Sequence, residues 1–164
     1  MADNITAPQL AGWQPIATTD TVKNHQLGTI VRADDPTYYS GEFIYLKGVA
    51  STEVGSWVTY NMDDGSTALL AANAIGQVAV AMSANVASQY GWYQIHGKAV
   101  GKALTGFVDN ANVYATATAG SVDDAVVAGD RVKNAVGASA VDTPSSGLAE
   151  FEIARPFMDD ALAA

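Results

Sequence analysis

The stretch Trp92-Tyr-Gln-Ile-His-Gly-Lys-Ala-Val100 decides the fold class, because its side chains alternate between a polar and an apolar set. The two sets are Gln94, His96 and Lys98 on one face, and Tyr93, Ile95 and Ala99 on the other. A period of two residues is typical of a β-strand with one face in the core. The stretch therefore predicts a strand whose polar face is turned toward solvent.

Similar short segments lie on both sides of this strand, separated about every ten residues by Gly, Pro, Asn, Asp or Ser. In chain order they are 28–32, 42–49, 57–60, 75–84, 113–118, 131–136 and 148–153. Residues 68–74 fit a short helix or a loop equally well, and no long helical period occurs. This spacing favours a small β-sandwich or barrel over alternating strands and helices. We predict an all-β fold.

Local signals add detail to this prediction. Asp63-Asp64-Gly65-Ser66 predicts a hairpin turn, since glycine accepts the positive φ that such turns require. In the last strand, alternation places Phe151 and Ile153 in the core, with Glu150 and Glu152 in solvent. Two glycines, Gly97 and Gly101, interrupt the central strand, and they indicate close packing or a β-bulge.

Residues 1–28 differ from the β-rich domain predicted for 29–164. They contain two prolines and large apolar residues that stand singly, without a helical or sustained strand period. A disordered tail usually lacks such apolar anchors, whereas an extended arm that docks on neighbours needs them. Two interpretations remain open: an extended N-terminal arm, or a segment folded back as an irregular edge of the same domain.

The charge balance disfavours nucleic acid as a partner. Eight Lys and Arg residues stand against 17 Asp and Glu residues, for a formal net charge of −9. A phosphate backbone attracts basic surfaces, so an acidic chain has no electrostatic drive toward it. The chain has no cysteine, no apolar run long enough for a membrane helix and no visible signal peptide. We expect a protein made in a cytoplasm, without a membrane partner.

Catalytic patterns are weak in this sequence. Its two histidines, His25 and His96, lie in separate segments, and no Gly-x-Ser-x-Gly motif occurs. The Asp63–Ser66 turn lacks the ligand spacing of a calcium loop. We therefore expect no enzymatic activity, no metal and no cofactor. The three tryptophans, Trp13, Trp57 and Trp92, are expected in the core or at a subunit interface; if exposed in a row, they would instead stack on sugar rings.

Three groups of segments resemble a known family. They are 41–49 with 54–60, 75–82 with 90–100, and 113–120 with 128–132 and 153–156. This succession is similar to the head decoration (cement) proteins of tailed bacteriophages, over roughly residues 28–157. The shared features are a glycine-hinged strand that reads aromatic-Gln-Ile-x-Gly-x-Ala, a later Gly-Asp and an Arg-Pro near the end.

The resemblance implies a structural virion protein that binds the outside of the assembled capsid and stabilises it. Its partners would be the major capsid protein and two further copies of itself, in a homotrimer whose arms reach across capsomer borders. The expected capsid contacts are Ile5, Leu10, Trp13 and Ile16. The expected subunit-interface residues are Trp92, Tyr93, Gln94 and His96. The alternative is a carbohydrate-binding or fibre module of a virion.

Overall fold

A computed structural model of the chain describes residues 10–11 and 14–159. Within them, every regular element is a β-strand, which confirms the all-β prediction. The strands are β1 (Leu10–Ala11), β2 (Gln14–Pro15), β3 (Thr19–Asp20), β4 (Ile30–Asp35), β5 (Tyr39–Lys47), β6 (Trp57–Tyr60), β7 (Thr67–Leu69), β8 (Ile75–Ala81), β9 (Tyr90–Lys102), β10 (Asn112–Ala115), β11 (Val122–Asp123), β12 (Arg131–Gly137) and β13 (Leu148–Asp159).

One large antiparallel sheet follows the order β11-β10-β12-β13-β8-β9-β5-β4, and the β6–β7 hairpin joins it through β8. Strands β9 and β13 pair from Lys102 and Leu148 as far as His96 and Ala154, and then diverge. Strand β8 crosses this opening, pairing with β13 through residues 75–77 and with β9 through residues 80–81. Because β9 and β13 diverge at this point, the sheet folds onto itself and produces a sandwich-like body.

The core forms three clusters, two of which lie on opposite faces of β5 and β9. Phe43 and Tyr45 of β5 belong to one of these clusters, while Ile44 and Leu46 belong to the other. Successive strand residues point to opposite faces, so both faces of this sheet region are buried. The third cluster fills the space enclosed by β8 to β13 and includes Phe151 and Ile153, as the alternation in the last strand predicts.

The predicted strand positions are close to the observed ones. Strand β6 has the predicted limits, whereas β13 continues six residues past the predicted end at 153. The undecided segment 68–74 begins as part of β7 and continues as a turn. A hairpin does connect β6 to β7 across the Asp63–Ser66 turn, with Tyr60 paired to Thr67 and Gly65 at φ +70°.

Both glycine predictions in the central strand are confirmed. The ladder between β5 and β9 shifts register at Ile95, which forms a bulge, and Gly97 beside it has φ +104°. At Gly101, a Cβ atom would lie 2.5 Å from Nε1 of Trp57. Gly97 therefore accommodates a bulged backbone, and Gly101 permits close packing of a tryptophan.

The N-terminal segment is described at residues 10–11 and 14–28, and residues 14–28 fold back on the domain. Strand β3 pairs with the beginning of β9, and Ile16 is fully buried beside Phe43 and Trp92. These residues cover one face of the β5–β9 region, while the β6–β7 hairpin covers the other. Of the two interpretations of the segment, this part follows the second, and the boundary at residue 28 does not separate it from the domain.

Candidate functional site

Three of the four expected subunit-interface residues are core residues, which corrects the expectation. Trp92 and Tyr93 have no exposed surface, and Gln94 is 3% exposed. Because β9 is covered on both faces, its polar side does not meet solvent here. The amide of Gln94 is accommodated by donating to the carbonyl oxygens of His96 and Lys98, each at 3.1 Å. His96 alone remains exposed and accessible to a partner.

The four residues expected to contact the capsid are placed differently by the structure. Ile16 is fully buried in the chain's own core, so it is corrected from a contact to a core residue. Leu10 lies in strand β1. Ile5 and Trp13 lie outside the described residues.

A network around Asp20 holds the N-terminal segment on the sheet. The Asp20 carboxylate, 8% exposed, accepts hydrogen bonds from Gln14 Nε2 at 2.8 and 2.9 Å and from the Tyr45 hydroxyl at 2.5 Å. The Gln14 side-chain oxygen in turn accepts from Trp92 Nε1 at 3.0 Å and pairs with His25 Nε2 at 2.9 Å. We call these five residues the Asp20 network.

The Asp20 network has the properties expected of a structural hydrogen-bond network. Burial, followed by the hydrogen bond to Asp20, raises the pKa of Tyr45 well above its usual range, so the phenol stays protonated and keeps donating. The ring of His25 packs edge-on against Tyr45 at 5.0 Å. Asp20 and Gln14 of the N-terminal segment thus bind Tyr45 and Trp92 of the sheet through hydrogen bonds.

The described tryptophans are core residues. Trp57 and Trp92 are fully buried, and Trp57 packs edge-on against Phe151 with ring centroids 4.9 Å apart. This confirms the core interpretation for these two residues. Among the tyrosines of the described chain, Tyr39 is the one with a mostly exposed ring, at 77%.

Side chains that bind metal ions are not clustered in the part of the chain that the structure describes. No group of three or more His, Asp or Glu side chains there is placed to hold a metal ion. His25 belongs to the Asp20 network, whereas His96 lies at the bulge of β9. Within the same residues, no helix is long and apolar enough to cross a membrane.

An apolar groove of about 560 Å³ opens where four segments of the chain meet. Three large apolar side chains that line it are exposed to solvent: Ile30 by 42%, Met62 by 52% and Ile75 by 69%. The floor is formed by Ile44, Tyr60 and the 156–158 part of β13. We call this surface the apolar groove.

Charged pairs border the apolar groove. Arg155 contacts Glu42 at 3.0 Å, and Lys133 pairs with Asp159. The Lys133 ammonium also lies 5.8 Å from the ring centroid of Phe157, in a cation–π arrangement. An apolar centre with a charged rim is the usual anatomy of a protein–protein interface.

A second, wider groove of about 1040 Å³ lies between the β4–β5 turn, the bulge of β9 and strands β12 and β13. Its polar lining includes Tyr39, His96, Lys98, Asn112, Arg131, Asn134 and Glu152. Its floor consists of small side chains, among them Ala135, Ala138 and Ala154. We call this surface the polar groove.

Neither groove is visible in the sequence, because each is formed by segments that are far apart in the chain. The apolar groove joins the start of β4, the β6–β7 turn, the start of β8 and the end of β13. Its exposed residues fall at strand ends, where alternation carries no information about which neighbours lie across the surface. Comparisons with family models, with curated proteins and with solved structures find no match for this chain.

Proposed function

We propose that this chain is a head decoration (cement) protein of a tailed bacteriophage. In this proposal it binds the outside of the assembled capsid, with the major capsid protein as partner, and makes no chemical change in any substrate. The observation that carries the proposal is the apolar groove, where Ile30, Met62 and Ile75 are exposed together.

Clustered exposure of large apolar side chains is costly in water and supports a protein-binding role. Covering apolar surface contributes roughly 25 cal/mol per Å². Single exposed apolar residues are ordinary, but a contiguous set with a polar rim marks a site of association. The likeness of residues 28–157 to decoration proteins supports a capsid as the surface that is recognised.

The proposed mechanism is stabilisation by selective binding. Capsid expansion brings several major capsid subunits into one composite site, and the protein binds that assembled form. A ligand that binds only one state of an equilibrium stabilises that state by mass action. In a homotrimer, three copies of each weak contact act together, and avidity raises the overall affinity without any new contact.

The carbohydrate-binding alternative was based on a row of exposed tryptophan and tyrosine rings. Four of the described rings cannot form such a row, because Trp57, Trp92, Tyr45 and Tyr93 are fully buried. The apolar groove has no comparable explanation as a sugar site, because sugars require hydrogen-bonding groups. For the apolar groove, adhesion to other protein subunits is therefore the better-supported function.

Ile75→Asp is expected to weaken binding to undecorated, expanded heads at least about tenfold, which corresponds to about 1.4 kcal/mol per site. The aspartate would place an unpaired charge in the covered interface. Ile75 is 69% exposed, so the fold should tolerate the change. Cosedimentation of purified protein with heads measures the binding, and the disruption temperature of the heads measures the stabilisation.

The matched control for this experiment is Val126→Asp. Val126 is 79% exposed and does not line the apolar groove. It introduces the same charge on an apolar position, and we expect near wild-type binding. Equal binding by both variants would remove the apolar groove from the contact surface, whereas a wild-type protein that does not cosediment would refute the proposed function itself.

Deletion of residues 1–13 tests the contacts expected from Ile5, Leu10 and Trp13. We expect a stable protein with reduced affinity for heads, because Gln14, Ile16 and Asp20 keep their places in the domain.

Deletion of residues 1–16 should also lower the melting temperature, since it removes the buried Ile16 and the Gln14 oxygen that accepts from Trp92. Unchanged head binding after the shorter deletion would contradict a role for these residues.

A further inference from the structure

Tyr39 occupies a position that the fold does not favour for a tyrosine. It follows the three-residue loop 36–38 between β4 and β5 and has φ +66°. Tyr39 is paired with Asp35 as the first residue of β5, and a left-handed φ of this kind is adopted most readily by glycine or asparagine. A bulky side chain with positive φ is a genuine outlier, and such strain tends to persist at functional positions.

Burial does not compensate for this strain. The Tyr39 side chain is 77% exposed, so it contributes little to the core. The turn itself is held by Asp35, whose Oδ1 accepts from the backbone N–H groups of Thr37 at 2.7 Å and Tyr38 at 2.9 Å. These bonds do not involve the Tyr39 ring. Stability alone would therefore select glycine or asparagine at this position.

The turn presents the Tyr39 ring at the polar groove. The bulged backbone of β9 lies directly beneath, since a Cβ atom at Gly97 would come within 2.9 Å of the Ser40 carbonyl oxygen. Next to Tyr39, Tyr38 is buried, and the Lys98 ammonium lies 5.5 Å from its ring centroid. Burial, with a further contribution from Glu150, raises the pKa of Tyr38 to about 12. Tyr38 thus fixes the turn, while Tyr39 projects a free aromatic face.

Directional polar groups line the same groove as the Tyr39 ring. Arg131 donates to the side-chain oxygen of Asn112 at 2.9 Å, which orients the Asn112 amide and leaves further guanidinium N–H groups available. His96 and Glu152 are exposed on the neighbouring strands. The groove thus combines one aromatic plate with amide, guanidinium, imidazole and carboxylate groups over a flat floor of small side chains.

We propose that the polar groove binds a neutral oligosaccharide, with one pyranose ring stacked on Tyr39. Sugar rings offer an apolar C–H face to an aromatic plate and hydroxyls that both donate and accept hydrogen bonds. The lining supplies both kinds of partner. Lys98 is paired with Glu150 at 2.6 Å, and Glu152 offsets Arg131, so the groove has no strong field for a polyanion. This activity is separate from adhesion to the capsid through the apolar groove.

Tyr39→Gly tests this assignment and also controls for folding. Glycine relieves the positive φ, so the melting temperature should equal or exceed that of the wild type. Labelled wild-type protein is applied to a printed array of neutral and acidic oligosaccharides, and the strongest neutral saccharide is then titrated by calorimetry. We expect Tyr39→Gly to bind that saccharide at least about tenfold more weakly. Tyr39→Phe keeps the aromatic plate and should remain close to wild type.

Three outcomes would overturn the assignment. They are wild-type protein that binds no arrayed saccharide, binding restricted to acidic saccharides, and saccharide binding that Tyr39→Gly leaves unchanged. Head cosedimentation of Tyr39→Gly should match the wild type; loss of head binding would instead place Tyr39 in the lattice contact. Ile75→Asp should retain saccharide binding, so failure of the two proposals can be distinguished.

Discussion

Replacement of Gly48 by alanine is expected to lower the free energy of unfolding by at least about 4 kcal/mol. A Cβ atom at this position would lie 2.2 Å from the carbonyl oxygens of both Asn85 and Val86. These are backbone atoms, so no side-chain rotation can relieve the overlap. Urea unfolding followed by tryptophan fluorescence measures the change, with a melting temperature at least about 10 °C lower.

The loop that carries these oxygens cannot withdraw without further loss. Gly48 donates its N–H to Gln89 at 2.8 Å, and Val49 donates to Asn85 at 3.1 Å. The Asn85 side chain is fully buried and donates to the Tyr93 hydroxyl at 3.0 Å. Moving the loop by the required distance would break these bonds, one of which is made by the fully buried Asn85 side chain, and we therefore expect an effect near the upper end for point substitutions.

Gly147→Ala is the matched control for Gly48→Ala. A Cβ atom at Gly147 meets nothing within 4 Å, but its φ is +74°. We expect a cost of about 1–2 kcal/mol from the left-handed backbone alone. If Gly48→Ala were no more destabilising than Gly147→Ala, the contact between residue 48 and the 85–89 loop would be wrong.

Asp20→Ala is expected to cost about 3 kcal/mol of folding stability. The substitution leaves the buried hydroxyl of Tyr45 and the amide of Gln14 without the carboxylate that accepts from both. The Tyr45 side chain is fully buried, so the desolvation of its hydroxyl would no longer be compensated. Denaturant unfolding measures the loss, and limited proteolysis should show faster cleavage within residues 14–28.

Asp34→Ala removes the same charge from an exposed position of β4 and serves as the control. Surface substitutions of this kind usually change stability by less than about 0.5 kcal/mol. Asp20→Asn keeps one oxygen acceptor and should fall between the two alanine variants. Equal stability of Asp20→Ala and Asp34→Ala would show that the Asp20 network does not hold the N-terminal segment.

The local pattern of the chain predicted its strands well. The limits of β6, the turn at Asp63–Ser66 and the core positions of Phe151 and Ile153 all follow from alternation and turn chemistry. These are properties of a few neighbouring residues, since backbone dihedral preferences and side-chain direction act over short distances. They are therefore visible without any knowledge of the tertiary structure.

Burial of β9 could not be predicted in the same way. Alternation shows that Gln94 and Tyr93 point to opposite faces, but it does not show what covers each face. Residues 14–28 cover one face, and the β6–β7 hairpin covers the other. Both lie more than 20 positions away from β9 in the chain, so the strand's own period contains no information about them.

The candidate sites show the same division. Tyr39 lies just before a predicted strand, but its proposed binding role depends on its positive φ and on the polar groove beside it. Ile30, Met62 and Ile75 are unremarkable in sequence and become a surface only when their segments meet. Ile16 and Trp92, in contrast, were expected at interfaces and lie in the core.

The amino-acid order by itself determined the all-β class, the position of the hairpin, and an acidic chain with little attraction for phosphate. The tertiary structure alone decided that residues 14–28 belong to the domain, that β5 and β9 are buried on both faces, and that two distinct grooves are open. The physical reason is range: strand period and turn geometry arise between neighbours, whereas burial and surface composition arise between segments that only folding brings together.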